Sequence, residues 1–212
     1  MMETAIVAFT TFFATVAPLD VAAMFAALTP NASPEAKRSM AFRGVMISAI
    51  ILLAFALAGE IVLSTLGISL AALKVSGGIL LLLIGIEMVF ARSSGGTSTT
   101  EEEDDEAINS PDIAVFPLAT PLIAGPGTMG ASVLLMADVR GDYLAEAIVI
   151  GALMLVLLLT LVLLLLTSRA EKLFGVTAMY VISRVFGVLL SALAVQFMFD
   201  GLAESGLLGI SR

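Results

Sequence analysis

The sequence contains no cysteine, histidine or tryptophan. Without thiols there is no disulfide, no thiolate nucleophile and no sulfur ligand. Without imidazole there is no histidine metal site, and the commonest general base is missing. Metal sites built on thiolate or imidazole, and most nucleophile–base pairs, are thereby excluded. Charge is scarce too: 13% of the 212 residues are Asp, Glu, Lys or Arg, against about 25% in an ordinary soluble domain. Only three lysines occur (Lys37, Lys74, Lys172), and the net charge is −8. So acidic a chain is no partner for nucleic acid, whose phosphates call for basic surface. Its polar surface resembles that of proteins from salt-loving archaea. No motif calls for a cofactor, and no constellation supports an enzyme: a paired-aspartate protease lacks its Gly-x-Gly-Asp sequence.

What the chain does have is apolar surface, with 59% hydrophobic residues and a mean hydropathy of +1.10. A soluble fold of this size would leave much of it uncovered. A helix needs about 20 residues to cross a hydrocarbon core, and six runs qualify: Ala5–Leu28, Val45–Leu66, Leu70–Ala91, Ile113–Met136, Leu144–Thr167 and Ala178–Met198. The first run lacks the preceding basic residues of a signal peptide and outlasts a signal core, so it reads as a spanning helix. The expected class is an all-α polytopic membrane protein with lipid as its main surroundings.

One link differs from the others. Residues 92–112 are rich in Gly, Ser and Thr and then densely acidic (Glu101, Glu102, Glu103, Asp104, Asp105, Glu106). Such a segment cannot bury enough surface to order itself. It reads as a flexible linker between residues 1–91 and 113–212, each with three runs. The links after the first, third and fifth runs hold Lys37, Arg38, Arg43, Arg92, Arg169, Lys172 and Arg184, whereas the other side receives Lys74, Arg140 and Arg212. The basic bias puts the first set, the linker included, in the cytoplasm and both termini outside.

The halves echo each other. Ala17-Pro18-Leu19 in the first run matches Thr120-Pro121-Leu122 in the fourth. Gly78-Ile-Leu-Leu with Glu87 in the third matches Gly187-Val-Leu-Leu with Gln196 in the sixth. Three spans per half would invert the second repeat relative to the first, an arrangement common in secondary transporters, which bind substrate where helices break. The fourth run carries Pro117, Pro121 and Pro126, with Gly125 and Gly127 flanking the last. Proline inside a helix removes a hydrogen bond and clashes with the preceding turn. In hydrocarbon the freed carbonyls must be buried in protein or face a wet cavity. The breaks therefore either serve packing alone or cradle a zwitterion between half-helix ends. Thr120, Pro121, Gly125, Pro126, Gly127 and Pro18 are the candidate substrate residues.

Polar residues inside the runs are the remaining candidates. Asp20, two residues after Pro18, either binds a proton, a cation or a substrate ammonium, or caps the helix that restarts there. Glu60 and Glu87 either reach an interface or take part in coupling, and Gln196 is matched with Glu87 as a helix–helix hydrogen-bonding group. Thr10, Thr11, Thr15, Thr120 and Thr128 gather around the breaks, where most should bond to carbonyls of their own helices. Lys74 and Arg184 read as interfacial anchors, pairing with Glu60 or Asp200.

These residues resemble the MarC family, also called the six-helix neutral amino acid transporter family. The likeness is carried by Phe25-Ala-Ala-Leu28-Thr29, Gly59-Glu60, Gly67-Ile-Ser69, Gly77-Gly78-Ile-Leu, Pro117-Leu-Ala-Thr-Pro121-Leu-Ile-Ala-Gly-Pro-Gly127, Ala194-Val-Gln-Phe197 and Asp200-Gly201. It implies a cytoplasmic-membrane protein that moves glycine, alanine or similar small neutral amino acids, in or out. The family's first-run pattern Asn-Pro-x-Gly-x-x-Pro is altered here to Ala17-Pro18-Leu19-Asp20-Val21-Ala22-Ala23. Three functions stay open: a secondary transporter, a channel, or a membrane assembly protein that transports nothing.

Overall fold

Prolines and polar caps decide where the helices begin. A computed structural model describes residues 1–29, 32–90 and 112–206, and every described element is helical. The first run divides into α1 (Met2–Val16) and α2 (Pro18–Leu28), and the second and third runs are α3 (Pro34–Thr65) and α4 (Leu70–Phe90). The fourth divides into α5 (Ala114–Ile123) and α6 (Pro126–Asp138); α7 (Tyr143–Leu165) and α8 (Thr167–Glu204) follow. By length and composition five helical stretches can cross a membrane, α1 and α2 together counting as one, and six if the bent α5–α6 pair is one span. Of the expected acidic linker, all but Asp112 lies outside the described residues.

Two helices start earlier than their apolar runs. Ser33 accepts a hydrogen bond from the Ala36 N–H at 3.2 Å, Pro34 takes the first helical position and Glu35 the first turn, three features that favour a helix start. α3 therefore begins at Pro34 rather than Val45. Its 32 residues span about 48 Å at 1.5 Å each, more than the roughly 30 Å hydrocarbon core. That length leaves room for Lys37 and Arg38 to lie beyond the hydrocarbon. α8 likewise begins at Thr167, not Ala178. At α7, Asp142 accepts from the N–H groups of Leu144 and Ala145, and Glu146 reaches back to the Gly141 N–H at 3.0 Å. Each group satisfies donors that the helix start leaves orphaned.

The tightest packing joins α4 to α8 along a seam of small residues spaced by seven. Ala71, Gly78 and Gly85 of α4 face Gly201, Ala194 and Gly187 of the antiparallel α8. A methyl group on Gly78 would lie 2.7 Å from the Ala194 carbonyl oxygen, and one on Gly85 would lie 2.8 Å from that of Gly187. Backbone meets backbone here, the way spanning helices associate without a hydrophobic drive. α1 runs through the middle of the bundle, packed against α4, α6, α7 and α8. Phe12, Phe25, Leu52, Leu81, Leu134, Leu153 and Leu190 fill the interior. Outside, Ile50, Leu57 and Ile61 of α3 and Leu158 of α7 are exposed; in a bilayer these contact acyl chains at no cost.

Candidate functional site

The first interruption is one residue wide. Ala17 lies in the left-handed region (φ 47°, ψ 63°), and α2 restarts at Pro18. Backbone bonds cross the joint from Ala17 N–H to Phe13 O and from Val21 N–H to Ala17 O, both 3.0 Å. Pro18 has no N–H to offer the Ala14 carbonyl. The left-handed conformation costs an alanine about 1–2 kcal/mol, and Gly or Asn tolerates it better. Ala17→Gly or Ala17→Asn is therefore expected to raise stability by about 0.5–1 kcal/mol, read as a higher melting temperature in detergent. An unchanged or lower value would contradict the strain.

The second interruption is longer. Phe116 (φ −130°, ψ 130°) and Thr120 (φ −138°, ψ 125°) are extended, as residues before proline prefer; each precedes a cis peptide bond, to Pro117 and Pro121. The coil between them is wide, with Leu118 N–H donating to Ile113 O at 3.1 Å and Ala124 N–H to Ala119 O at 2.9 Å. The chain then turns by 55° at Ala124–Gly125 into α6. Gly127 is pressed against α4: a methyl there would meet Ile84 Cδ1 at 2.2 Å.

The two interruptions touch. The Thr128 hydroxyl, two residues into α6, donates to the Thr15 carbonyl at 3.2 Å, just before Ala17. Thr15 in turn donates to Thr11 O at 2.9 Å, and Ser132 to Thr128 O at 2.8 Å. Ser48 of α3 donates to Gly44 O of its own helix at 2.8 Å, with Ala119 O inside the wide coil a longer alternative acceptor at 3.3 Å. Thr11, Thr15, Thr128, Ser132 and Ser48 are all buried, and Thr11 Oγ1 has no partner among the described residues. The threonines around the breaks thus divide: Thr15 serves its own helix, while Thr128 crosses to the other interruption. Ser48 escaped the sequence reading, because a lone serine in an apolar run carries no local sign of its distant acceptor.

The remaining candidates are placed as follows. Pro18 is buried and Asp20 is exposed, in the first turn of α2 rather than deep in a continuous helix. Both line a cavity of about 10 Å³ with Phe13, Ala17, Leu19, Met88 and Phe186. That volume holds about one water. Thr120 and Pro121 are half-buried, Gly125 and Gly127 buried, and Pro126 exposed. Glu87 is half-buried on α4 beside Met88. Glu60 lies on α3, its side chain outside the described ones. Gln196 donates to Asp200 at 2.9 Å on its own helix.

Ion pairs close both ends of the bundle. Lys74 pairs with Asp138 of α6 at 2.6 Å and Glu204 of α8 at 2.7 Å rather than with Asp200, and the expected pairing with Glu60 lies outside the described side chains; the two carboxylates end helices that finish where α4 begins. At the other end Arg43 pairs with Asp112 at 2.5 Å. The Ala114 N–H, donating at 3.0 Å, and the Arg43 guanidinium hold the Asp112 carboxyl below the usual carboxylate range, against a smaller opposing effect of burial. A depressed pKa adds stability above the unfolded value of about 4 and loses it as pH falls through the folded value. The stability gap between the native chain and Asp112→Asn should therefore be constant above about pH 4 and shrink below it. A gap that persists unchanged in acid, in melting curves across pH, would contradict this.

A helical bundle with apolar residues exposed on its outside and five or six helical stretches long and apolar enough to cross a membrane defines a polytopic integral membrane protein. The chain matches the MarC family of integral membrane proteins over residues 2–205 and belongs to that family. It is 36% identical over 197 residues to a UPF0056 membrane protein of Methanocaldococcus jannaschii, covering 93% of this chain and 95% of that one. It is 32% identical over 196 residues to a UPF0056 membrane protein of Archaeoglobus fulgidus (92% and 91% covered). It is 34% identical over 198 residues to the UPF0056 inner membrane protein MarC of Escherichia coli (88% of each). No solved structure matches the chain.

Proposed function

We propose that this protein is a secondary carrier for small neutral amino acids such as glycine or alanine, and not an enzyme. In this reading residues 1–91 and 113–212 are inverted three-helix repeats joined by a cytoplasmic acidic linker, with the breaks around Pro18 and Pro121–Gly127 as the binding site. The observation that carries it is the Thr128–Thr15 hydrogen bond, which brings the two interruptions together. Half-helix ends meeting inside apolar surroundings suit a zwitterion: amide ends for the carboxylate, carbonyl ends for the ammonium. The Thr11 hydroxyl, one turn before Thr15 and without a partner among the described residues, is a further polar group for such a ligand. Asp20, at the small cavity beside Ala17, would couple a proton or cation. That cavity is smaller than any amino acid and none of its lining residues comes from α5 or α6, so binding between the breaks requires them to part. The acidic composition fits a protein working at high salt.

Radiolabelled glycine and alanine uptake into proteoliposomes tests the reading. Saturable uptake above empty vesicles is expected; its absence across several small amino acids and ion gradients would sink it. The close packing at the breaks and the altered Ala17–Ala23 motif favour a second reading, a membrane assembly protein that transports nothing. A binding screen that recovers a partner protein but no small ligand would support that one instead.

A further inference from the structure

We propose that the bent α5–α6 element is the moving part of the molecule, held shut by one ionic latch at each end. At its start Asp112 is tied to Arg43 of α3; at its finish Asp138 is tied to Lys74 of α4. Between the latches lie the 55° joint at Ala124–Gly125 and two hydroxyl contacts, Thr128 to Thr15 and the longer one of Ser48 to Ala119. An element fastened by charge at both ends and jointed in the middle can release one end while the other stays closed. By contrast α4 and α8, locked backbone to backbone along their small-residue seam, form the fixed wall. Glu204 belongs to that wall: it shares Lys74 with Asp138, so the lysine keeps a partner when α6 leaves.

The latches are unequal. Lys74 is 5% and Asp138 45% exposed, whereas Arg43 and Asp112 are 52% and 41% exposed. Water reaches both partners of the second pair and only one of the first, so salt weakens the second more and the α5 end opens more often. Alternating release of the two ends would expose the crossing to one side of the membrane at a time, a purpose that rests on the carrier reading. The opening itself does not.

The absence of cysteine makes single reporters unambiguous. Ala119→Cys on α5 and Ala131→Cys on α6 replace residues that are buried now, and each stands seven positions from its latch. Labelling by a maleimide in liposomes reports opening of that end. Asp112→Asn is expected to speed labelling of the Ala119 reporter roughly fivefold and to leave the Ala131 reporter unchanged. Asp138→Asn should do the reverse, and raised salt should speed the Ala119 reporter alone. The reversed pair Arg43→Asp with Asp112→Arg should return its reporter to the slow rate. The proposal is overturned if each neutralisation moves both reporters together, or if neither moves its own. Should Asp112→Asn fail to fold, the salt response of the otherwise native chain decides for that end, and no rise overturns it. Labelling needs no substrate, so a chain that opens this way but carries no amino acid refutes the carrier reading alone.

Discussion

Gly85→Leu is expected to be the most damaging single substitution in the described fold, costing about 3–5 kcal/mol. Even a methyl at this position would sit 2.3 Å from Ser191 Oγ and 2.8 Å from the Gly187 carbonyl oxygen. The hydroxyl can rotate away; the carbonyl is helix backbone and can yield only if α8 shifts as a body. Such a shift would also pull apart the contacts at Gly78–Ala194 and Ala71–Gly201, because one rigid helix carries all three. Gly151→Ala on α7 is the control. A methyl there meets nothing within 4 Å, and alanine's helix propensity should leave stability unchanged or raise it by up to about 1 kcal/mol. Thermal unfolding in detergent measures both. A Gly85→Leu protein that melts with the native one would mean the seam is not a close backbone contact.

Lys74→Met should be next in severity, at about 2 kcal/mol. Removing the ammonium leaves two carboxylates that had shared it, each within 2.7 Å of the same nitrogen. Breaking a fully buried pair typically costs about 3–5 kcal/mol. Here Asp138 and Glu204 are 45% and 47% exposed, so water takes up part of their charge and the cost falls. Asp138→Asn should lose less, about 1 kcal/mol, because Glu204 still pairs the lysine. Neutralising all three, with Lys74→Met, Asp138→Asn and Glu204→Gln, should recover much of the loss, since the penalty lies in unpaired charge rather than in missing attraction. If the triple variant melts no higher than Lys74→Met, the lysine acts through packing of its stem instead.

Helix existence was legible because lipid demands long apolar runs, and α4 and α7 lie within a residue or two of their expected limits. The starts of α3 and α8 were not, since hydropathy cannot see a polar helix end that leaves the bilayer under a Ser33 cap. The interruptions were marked locally by Pro18, Pro121 and Pro126. What joins them is not local: Thr128 reaches Thr15 across 113 residues of chain. Lys74 was read as an anchor, but its partners follow from which helix ends share a side of the bundle. Gly78 and Gly187 were read as repeat markers. The seven-residue spacing of Ala71, Gly78 and Gly85 against Gly187, Ala194 and Gly201 was the unused signal for the seam, visible once both helices are taken as antiparallel neighbours.

Counterflow in proteoliposomes is the most direct test of the central claim that the touching interruptions form a carrier site. Vesicles loaded with unlabelled alanine should transiently accumulate labelled alanine or glycine from outside, and Thr128→Val, which removes the hydroxyl bridging the two breaks, should lower that exchange about tenfold. Labelled substrate that never exceeds its level in empty vesicles, or that leaks in without saturation or exchange, would contradict a carrier.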